Sequence, residues 1–588
     1  MLGERIERVD NLPLILHWLL QMQADKIIDG IWQPHGNRQG VTYGQLTVLF
    51  LAYILYTQNH RLSYAEDWCT KHRTTLEQVT GWPIRDKEMT DDRLGALVSV
   101  LGADEVQGLR YQQMQGQHLI QAYALPTDVA RYDTTTFSVY HTPDEEQGDT
   151  LFQHGHSKDQ RPDLPQFKQA LGTLDPAGIP LLTNTIPGNC ADDPLYVPAW
   201  REMAHTIGNK DFLYVADSKA SALETRATID YEGGSYLFPL QMIGDVPEWL
   251  REKVLHPSTP PQRVYLQDVT DADGNPRCIG RGFEVERQMS CELADGAQHI
   301  WSERWLVLKS ADHARRQREA LRSRLNKAVD KLNHMRAKPD ETVTEFQGRA
   351  EQVLEKFRVE GLLTVTSNES ITQKRRYLRS GRPTADAPYQ LVEQRKLQLQ
   401  VAYNLPAIRE KMRLAGWRTY VSDVPADIMS QEQAVAYYRD QWTAERGYHR
   451  FKNGSLPALP IFLRIEAHIR GLMLLLMIAL QALTLLEFVA RRALAEQEES
   501  VSGLVPGNPK IKTALPTGER ILAQFDHLHL LIEETETEIV GHLVEALTPL
   551  QRQLLDLLNI PESVYELNFS QAKSTNQHND RDGTNYGI

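Results

Sequence analysis

The chain has 588 residues, which is too long for one hydrophobic core and predicts three or four folded units. A hydrophobic content of 41% and a charged content of 24% are those of an ordinary globular protein. The net charge of −13 excludes a uniformly basic nucleic-acid-binding surface. It leaves room for local basic segments, because screening limits charge interactions to about 8–10 Å.

The cysteines and the most apolar segment bear on the compartment. Four cysteines are scattered, without a CxxC pair or a histidine at zinc spacing, and the first residues lack a signal-peptide core. Both features predict a reducing, cytoplasmic location. The apolar run at 472–486 is shorter than the roughly 20 residues that a membrane span needs, and Gln481 and Thr484 interrupt it. We therefore expect a buried helix and no membrane partner.

Residues 1–124 are predicted to form a helical N-terminal domain. Apolar periodicity at 14–22 and 46–56 indicates two helices, and Ser63, Thr90 and Asp104 stand where further helices would start. The sequence leaves two roles open for this domain, either binding of DNA ends or a partner, or a purely structural role.

The periodicity changes near Asp128. Residues 128–140 are β-branched and aromatic, which predicts a strand with Asp133 in its middle. A hairpin over 169–185 and a helix over 194–207 follow, and then a short apolar strand that ends at Asp217. Residues 125–240 are therefore predicted to form the first part of a mixed α/β sheet, with Asp133 and Asp217 on strands that could be neighbours.

Residues 241–415 are predicted to interrupt this sheet as an insertion of β-strands and long basic helices. The charged helix over 311–335 either contacts DNA or is simply a solvated surface. A basic stretch at 374–383 also contains an aromatic residue, which favours a loop that contacts DNA phosphates. The candidate DNA-binding residues of this loop are Lys374, Arg375, Arg376, Arg379 and Arg382.

Residues 416–495 are predicted to complete the sheet and to include one continuous helix through 437–452. At about 100° per residue, Tyr438, Gln441, Glu445 and Lys452 fall in one stripe. One acid beside a row of guanidinium groups suits a metal ligand that faces phosphate. The alternative is an amphipathic helix with a solvated charged face. The basic residues beside the stripe are Arg439, Arg446 and Arg450.

The end of the chain carries no candidate site. Residues 496–567 include a linker rich in Gly and Pro at 501–518 and are predicted to form a helical C-terminal region. Residues 568–588 are polar and are predicted to be a disordered tail.

Three acids on a mixed sheet and a following helix can hold hard divalent cations, which prefer oxygen ligands. Two Mg²⁺ ions about 3.5–4 Å apart can activate an attacking oxygen and stabilise the leaving oxygen of a phosphoryl transfer. Such a site is only weakly indicated by Asp133, Asp217 and Glu445 alone, because isolated acids are common.

Several blocks together give a more specific indication. The chain resembles a DDE transposase of a bacterial insertion sequence, in the branch named for its YREK signature. The signature maps onto Tyr438, Glu445 and Lys452, with Gln441 where the branch has arginine. The other matching blocks are YDTTTFSVY, HGHSKDQRPDLPQ, IPGNCAD, LYVADSKA, the RSGRP stretch and KNGSLPALPIFLRIEAHIRGLMLLL.

The resemblance implies an α/β fold, namely an RNase H-like mixed sheet with a β-rich insertion domain, flanked by helical N- and C-terminal domains. It implies metal ligation by Asp133, Asp217 and Glu445, with two Mg²⁺ ions for which Mn²⁺ is expected to substitute. Lys452 and Tyr438 are expected to hold the phosphate near the cut. Further candidate DNA contacts are Lys158, Arg161 and Trp442, for which loop surface or, for Trp442, a place in the core is the alternative.

The implied partners are double-stranded DNA, both terminal inverted repeats and target, and a second copy of the chain bound to the DNA. The implied reaction is cutting of the DNA ends and their transfer into target DNA. Two other functions stay open, an RNase H-like host nuclease and a domesticated DNA-binding protein without transposition activity.

Overall fold

The computed structural model describes residues 3–34, 36–140, 151–270, 274–378, 381–382, 388–535 and 538–572. Contacts within the chain divide it into two units. The first comprises Met1–Phe238, Ser290–Ile300 and Tyr437–Ile588, and the second comprises Pro239–Met289 and Trp301–Ala436. The domain boundaries expected from the sequence stay predictions.

The first unit begins with a strand and seven helices. The two helices expected from apolar periodicity are present, and Thr90 and Asp104 cap the helices that follow them. Ser63 instead lies in a short 3-10 turn, and the strand β1 contradicts an all-helical N-terminal domain. The elements are β1 (Gly3–Arg8), α1 (Leu12–Gln21), α2 (Ala24–Ile31), α3 (Tyr43–Thr57), α4 (Ala65–Lys71), α5 (Arg73–Thr80), α6 (Asp91–Ala103) and α7 (Glu105–Tyr123).

Five strands form the central sheet of the first unit. Two hairpin-type antiparallel pairings join three of them, and two parallel pairings add the others, in the order β4-β3-β2-β5-β6. This order is that of an RNase H-like core and confirms the predicted mixed sheet. The elements are β2 (Val129–Ser138), β3 (Gln166–Leu174), β4 (Ile179–Pro187), α8 (Tyr196–Ile207), β5 (Leu213–Ala216), α9 (Leu223–Tyr231) and β6 (Ser235–Pro239).

The second unit contains four strands in the order β12-β9-β8-β7, a separate hairpin and four helices. The apolar positions of its long helix, Leu321, Leu325 and Leu332, recur at helical spacing and pack with Val353 and Leu354 of the next helix. The elements are α10 (Val246–Leu255), β7 (Gln262–Thr270), β8 (Pro276–Glu292), β9 (Gln298–Ser310), α11 (Ala311–Asn333), α12 (Val343–Phe357), β10 (Leu363–Tyr377), β11 (Tyr389–Tyr403), α13 (Leu405–Leu414) and β12 (Trp417–Ser422).

The prediction of a loop at 374–383 is wrong for the first part of this basic stretch, which is a strand. Lys374, Arg375 and Arg376 lie in β10, which pairs with β11 along its whole length, from Leu363 opposite Tyr403 to Tyr377 opposite Tyr389. β11 alternates apolar residues over 397–403, but the basic stretch of β10 has no apolar alternation of its own that would indicate a strand. Arg382 is described and exposed, whereas Arg379 lies outside the described residues.

The predicted continuous helix is divided into two, α14 (Gln431–Arg439) and α15 (Trp442–Asn453). The chain leaves α14 at Asp440, whose carbonyl accepts bonds from the backbone N and Oγ1 of Thr443 at 2.9 and 2.8 Å. These bonds start α15 in a new turn. Tyr438 therefore lies on a different helix from Glu445, and the single stripe expected from helical spacing is wrong.

The helix α16 (Glu466–Glu496) runs through the core of the first unit. It is long and apolar enough to span a membrane by length and composition, but its apolar window is wholly buried inside the protein. Its backbone meets that of α6 directly, because a Cβ on Gly471 would lie 1.9 Å from the carbonyl oxygen of Val98. Gln481 donates to the carbonyl of Pro180 in β4 at 2.8 Å, so the run at 472–486 is a core helix as predicted.

The C-terminal region is not helical as predicted. Three of its strands join β1 in an antiparallel sheet of order β1-β15-β16-β17. Residues 569–572, which were expected in the disordered tail, form the last strand, and residues 573–588 lie outside the described part. The elements are β13 (Val501–Ser502), β14 (Lys512–Thr513), α17 (Gly518–Leu522), β15 (His529–Glu534), β16 (Glu538–Leu543), α18 (Pro549–Leu557) and β17 (Phe569–Ala572).

Candidate active site

Two parallel strands bring Asp133 and Asp217 to adjoining positions. β2 and β5 are paired up to Tyr132 opposite Ala216, and each acid is the next residue along its strand. Both side chains are half-buried. The carboxyl end of β5 thus places Asp217 beside the middle of β2, as the sequence predicts.

Asp217 is held by a turn and by a buried hydroxyl. Its Oδ1 accepts a bond from the backbone N of Lys219 at 3.0 Å, which caps the 3-10 turn Ser218–Ser221. The hydroxyl of Tyr196 in α8 donates to the same oxygen. Burial and the charge of Asp217 raise the pKa of Tyr196, so this phenol keeps its proton and stays a donor.

Asp133 has an unusual ionisation for a carboxylate. Burial raises its pKa to about 6, and the charges of Asp217 and Glu445 act in the same direction. Lys158 and the backbone N of Thr134, 2.8 Å from Oδ1, oppose this shift. The charges of Asp217 and Glu445 therefore act on Asp133, and a bound cation would relieve this repulsion.

Glu445 is brought towards Asp133 because its helix, α15, is docked onto the sheet. One turn after it, the hydroxyl of Tyr448 donates to the backbone carbonyls of Asp133 and Gln169, the latter at 3.2 Å. Gly447 allows close packing, since a Cβ there would lie 3.2 Å from a methyl group of Leu480. Glu445 itself is exposed in the first turn of α15.

The donor set fits a hard divalent cation by chemistry, because all three side chains offer carboxylate oxygens. These three side chains are less closely grouped than the ligands of a bound metal ion would be. Within the described ranges, no three or more His, Cys, Asp or Glu side chains are gathered as a group that could hold a metal ion. Asp217 uses one oxygen to cap its turn, and Glu445 is exposed.

A sequence profile described as "Transposase DDE domain" matches residues 126–481, which is more than half of the chain. The chain belongs to the DDE transposase family. The matched range contains β2, β5, α15 and all three acids of the candidate site. No curated protein matches the chain.

Among solved structures, the transposase is similar to a chain in the cryo-EM structure of a piggyBac transposase synaptic complex with hairpin DNA. The alignment has 9% sequence identity, covers 89% of this chain and 81% of that chain, and has a TM-score of 0.35. At that score the likeness supports no argument about this transposase.

Three predicted cations of the transposase lie near β2. Lys158 donates through Nζ to the carbonyl and Oγ1 of Thr134, directly after Asp133. Lys452 pairs with Asp159 at 2.8 Å, and Arg161 forms a forked pair with Asp163 at 2.9 and 2.7 Å. A groove of about 700 Å³ has Lys452, Arg161, Asp159 and Tyr140 in its walls.

Arg450 and Arg446 do not form the exposed basic stripe that helical spacing predicts. Arg450 is 4% exposed and pairs with both Glu487 and Glu519. Arg446 also pairs with Glu487, and burial, followed by the charge of Arg450, lowers its pKa to about 10. Both guanidinium groups hold α15 to α16 and α17, so their side chains are committed to the interior rather than to phosphate.

Trp442 and Arg439 are on the surface. The Trp442 side chain is 50% exposed, which contradicts the alternative of a core aromatic, and the Arg446 guanidinium lies 5.8 Å from its ring. Arg439 is exposed at the end of α14. These two residues keep the accessibility that contact with DNA requires.

Gln441 stands where the YREK branch has arginine. Its Oε1 lies 3.5 Å from Nη1 of Arg131, a fully buried residue of β2. Arg131 is itself held by Asp175, with Nε donating to Oδ1 at 2.7 Å. Gln441 therefore faces the ion pair between Arg131 and Asp175. Tyr438 precedes Gln441 by about one helical turn and is half-buried.

The residues that hold the acids in place were not predicted from the sequence. The buried Asp192 accepts bonds from Lys168 of β3 at 2.6 Å and from Lys219 at 2.7 Å, and thus ties the turn after Asp217 to the sheet. Asp192 is the last residue of the IPGNCAD block, so the resemblance contained a signal for it. Tyr196 and Tyr448 had no such signal, because neither lies in a matching block.

Proposed function

We propose that this transposase cuts DNA at the terminal inverted repeats of a bacterial insertion sequence and joins the cut ends to target DNA. One observation supports this most. Asp133 and Asp217 occupy adjoining positions of two parallel strands, and Tyr448 docks the helix of Glu445 onto the same strand. This arrangement lies inside the matched DDE domain.

In this proposal Asp133, Asp217 and Glu445 hold two Mg²⁺ ions, for which Mn²⁺ substitutes. When bound, such ions activate the attacking oxygen and stabilise the leaving oxygen of an in-line phosphoryl transfer. The residues of the chain do the rest. Tyr196 and the capped turn fix Asp217, and Lys158 favours the ionised form of Asp133 that a cation needs.

The DNA path follows the exposed cations. Lys452 and Tyr438 are proposed to hold the phosphate near the cut, with Lys158 and Arg161 along the groove beside β2. Arg439 contacts a neighbouring phosphate, and the exposed Trp442 ring stacks on a displaced base. In the second unit the proposed contacts are Lys374, Arg376, Arg379 and Arg382, whereas Arg375, predicted from the sequence to bind DNA, lies over the ring of Tyr389 and is left out.

The assembly and compartment are part of the same proposal. Two DNA ends are joined in one reaction, so a homodimer on DNA is expected. The protein acts in the cytoplasm of a bacterium, on the bacterial chromosome.

The proposal predicts metal-dependent cutting of a labelled inverted-repeat duplex. Asp133→Ala, Asp217→Ala and Glu445→Ala should each abolish cutting in Mg²⁺ while leaving equilibrium DNA binding largely intact, since each removes a metal ligand and not a phosphate contact. The control Asp128→Ala changes an exposed acid just before β2 and should cut normally. Full activity in any of the three variants would remove that residue from the site.

Two product measurements separate the remaining functions. Joined products in a plasmid target assay are expected from a transposase, whereas a host nuclease would give only hydrolysed ends. A protein that binds the duplex but gives no cutting with Mg²⁺ or Mn²⁺ would be a DNA-binding protein, which contradicts the proposal.

A further inference from the structure

The β10–β11 hairpin of the second unit presents two faces that the register defines. Side chains alternate along a strand, and residues opposite each other in an antiparallel ladder lie on the same face. Each pair from Leu363 opposite Tyr403 to Tyr377 opposite Tyr389 joins two odd or two even residue numbers. We call the two surfaces the odd face and the even face of residues 363–377 and 389–403.

The odd face is mixed in character. Near the base of the hairpin, Leu363 and Val365 are buried in the apolar cluster with α11 and α12. Farther out, this face carries exposed apolar residues, two glutamates and two arginines. Both arginines are engaged within the hairpin, since Arg395 pairs with Glu369 and the Arg375 guanidinium lies 4.5 Å from the ring of Tyr389.

The even face differs in charge. All of its residues are exposed, and its charged residues are the three cations Lys374, Arg376 and Lys396, with no acid. Among the described residues, no ion pair joins these cations to a carboxylate. Apart from Val392 and Ala402, the remaining positions are Thr, Ser, Asn or Gln. The surface is thus positive and rich in amides and hydroxyls.

These features fit duplex DNA. The major groove, about 12 Å wide, admits a two-stranded β-ribbon, and Asn or Gln amides and Lys or Arg cations match base edges there. Successive residues on one face are about 6.7 Å apart, close to the rise of two base pairs. A polyanion is favoured because the even face offers cations without competing acids.

We propose that the β10–β11 hairpin is a DNA-binding ribbon whose even face lies in the major groove. Lys374, Arg376 and Lys396 neutralise phosphates, while Gln394 and Gln398 contact base edges. The odd face is directed away from the DNA. The basic stretch predicted from the sequence therefore lies on both faces, with Lys374 and Arg376 on the side that binds and Arg375 on the side that does not. The inference takes from the proposed function only that the partner is duplex DNA.

The test compares two double variants of the full chain that remove the same charge from opposite faces. Lys374→Ala with Lys396→Ala changes the even face, and Arg375→Ala with Arg395→Ala changes the odd face. Fluorescence anisotropy of a labelled random-sequence duplex gives the affinity at a series of salt concentrations. Thermal unfolding checks that both variants fold.

In the even-face variant, the plot of log affinity against log salt should become less steep by about 1.8, since each neutralised phosphate contributes about 0.9 to the steepness. The odd-face variant should keep the slope of the unmodified chain. Gln394→Ala with Gln398→Ala should also keep the slope of the unmodified chain, because an amide side chain neutralises no phosphate.

Equal slopes for the two charge variants would overturn the ribbon proposal. So would a change in self-association, measured by sedimentation, without a change in DNA binding, since the even face would then be a contact between copies. The proposed function is tested separately by cutting. A chain that shows the slope difference but cuts no DNA would refute the proposed function and leave the ribbon standing.

Discussion

At the scale of single residues, the ionisation of Asp133 links stability to metal binding. Its pKa is raised from 3.8 to about 6, first by burial and then by two neighbouring carboxylates. The folded, metal-free chain therefore holds a proton there that the unfolded chain releases at lower pH. This group lowers the stability of the fold as pH rises from about 4 through about 6.

Asp133→Asn should stabilise the metal-free protein at neutral pH, because it removes a carboxylate whose charge is unfavourable in the fold. The expected gain in the free energy of unfolding is at most about 3 kcal/mol at pH 7. Below about pH 4 the gain should vanish, since the native carboxyl is then protonated in both states. Urea unfolding at a series of pH values measures it.

The matched control is Asp128→Asn, an exposed acid before the same strand, which should leave the unfolding free energy unchanged at every pH. Equal stability of Asp133→Asn and the unmodified chain at pH 7 would mean that neither burial nor the other two carboxylates disfavour the charged form of Asp133.

Some contacts of the site could be predicted from the sequence and others could not, because the residues they join lie at different distances along the chain. Asp133 and Asp217 follow recognisable strands, so their adjoining positions could be predicted. The hydroxyl of Tyr448 reaches the carbonyl of Asp133, which is 315 residues away in sequence. No local pattern of residues indicates a hydrogen bond of that range.

At the scale of elements, buried charge explains why α15 packs as it does. Glu487 of α16 is fully buried and contacts Arg446, Arg450 and, at 3.3 Å, Arg491. One acid thus compensates guanidinium groups from two helices, while Glu519 pairs with Arg450 from a third. This cluster fixes the helix that carries Glu445.

Glu487→Gln should destabilise the protein by about 3–5 kcal/mol, because it leaves buried guanidinium groups without their counter-charge. Chemical denaturation measures the loss. The control Glu496→Gln changes an exposed acid of the same helix, 4.0 Å from Arg492, and should have little effect. A loss for Glu487→Gln no larger than that of the control would contradict the compensating role.

The elements that were predicted wrongly share a physical cause. Periodicity detects a helix or strand by its apolar face, so it located α1, α3, α11 and the strands of the central sheet. It could not detect the break at Asp440, where local hydrogen bonds restart the helix, nor β1, whose six residues are nearly all exposed. β15 does alternate, with Leu530 and Ile532 buried, but its acidic residues obscure the pattern.

At the scale of the whole molecule, the net charge of −13 coexists with local groups of cations. Within the first unit they line the groove beside β2, and within the second they occupy one face of the β10–β11 hairpin. Composition alone therefore gives no indication of a DNA partner, whereas the placement of individual lysines and arginines does. The fold class was predictable because the order of strands and helices constrains a mixed sheet.

The central claim is that Asp133 ligates a catalytic metal ion. Asp133→Cys tests it most directly, because a thiolate ligand is soft and accepts Mg²⁺ poorly. Cutting of the inverted-repeat duplex by this variant should be lost in Mg²⁺ and partly restored in Mn²⁺, while Asp128→Cys cuts in both. Undiminished cutting by Asp133→Cys in Mg²⁺ would contradict the claim.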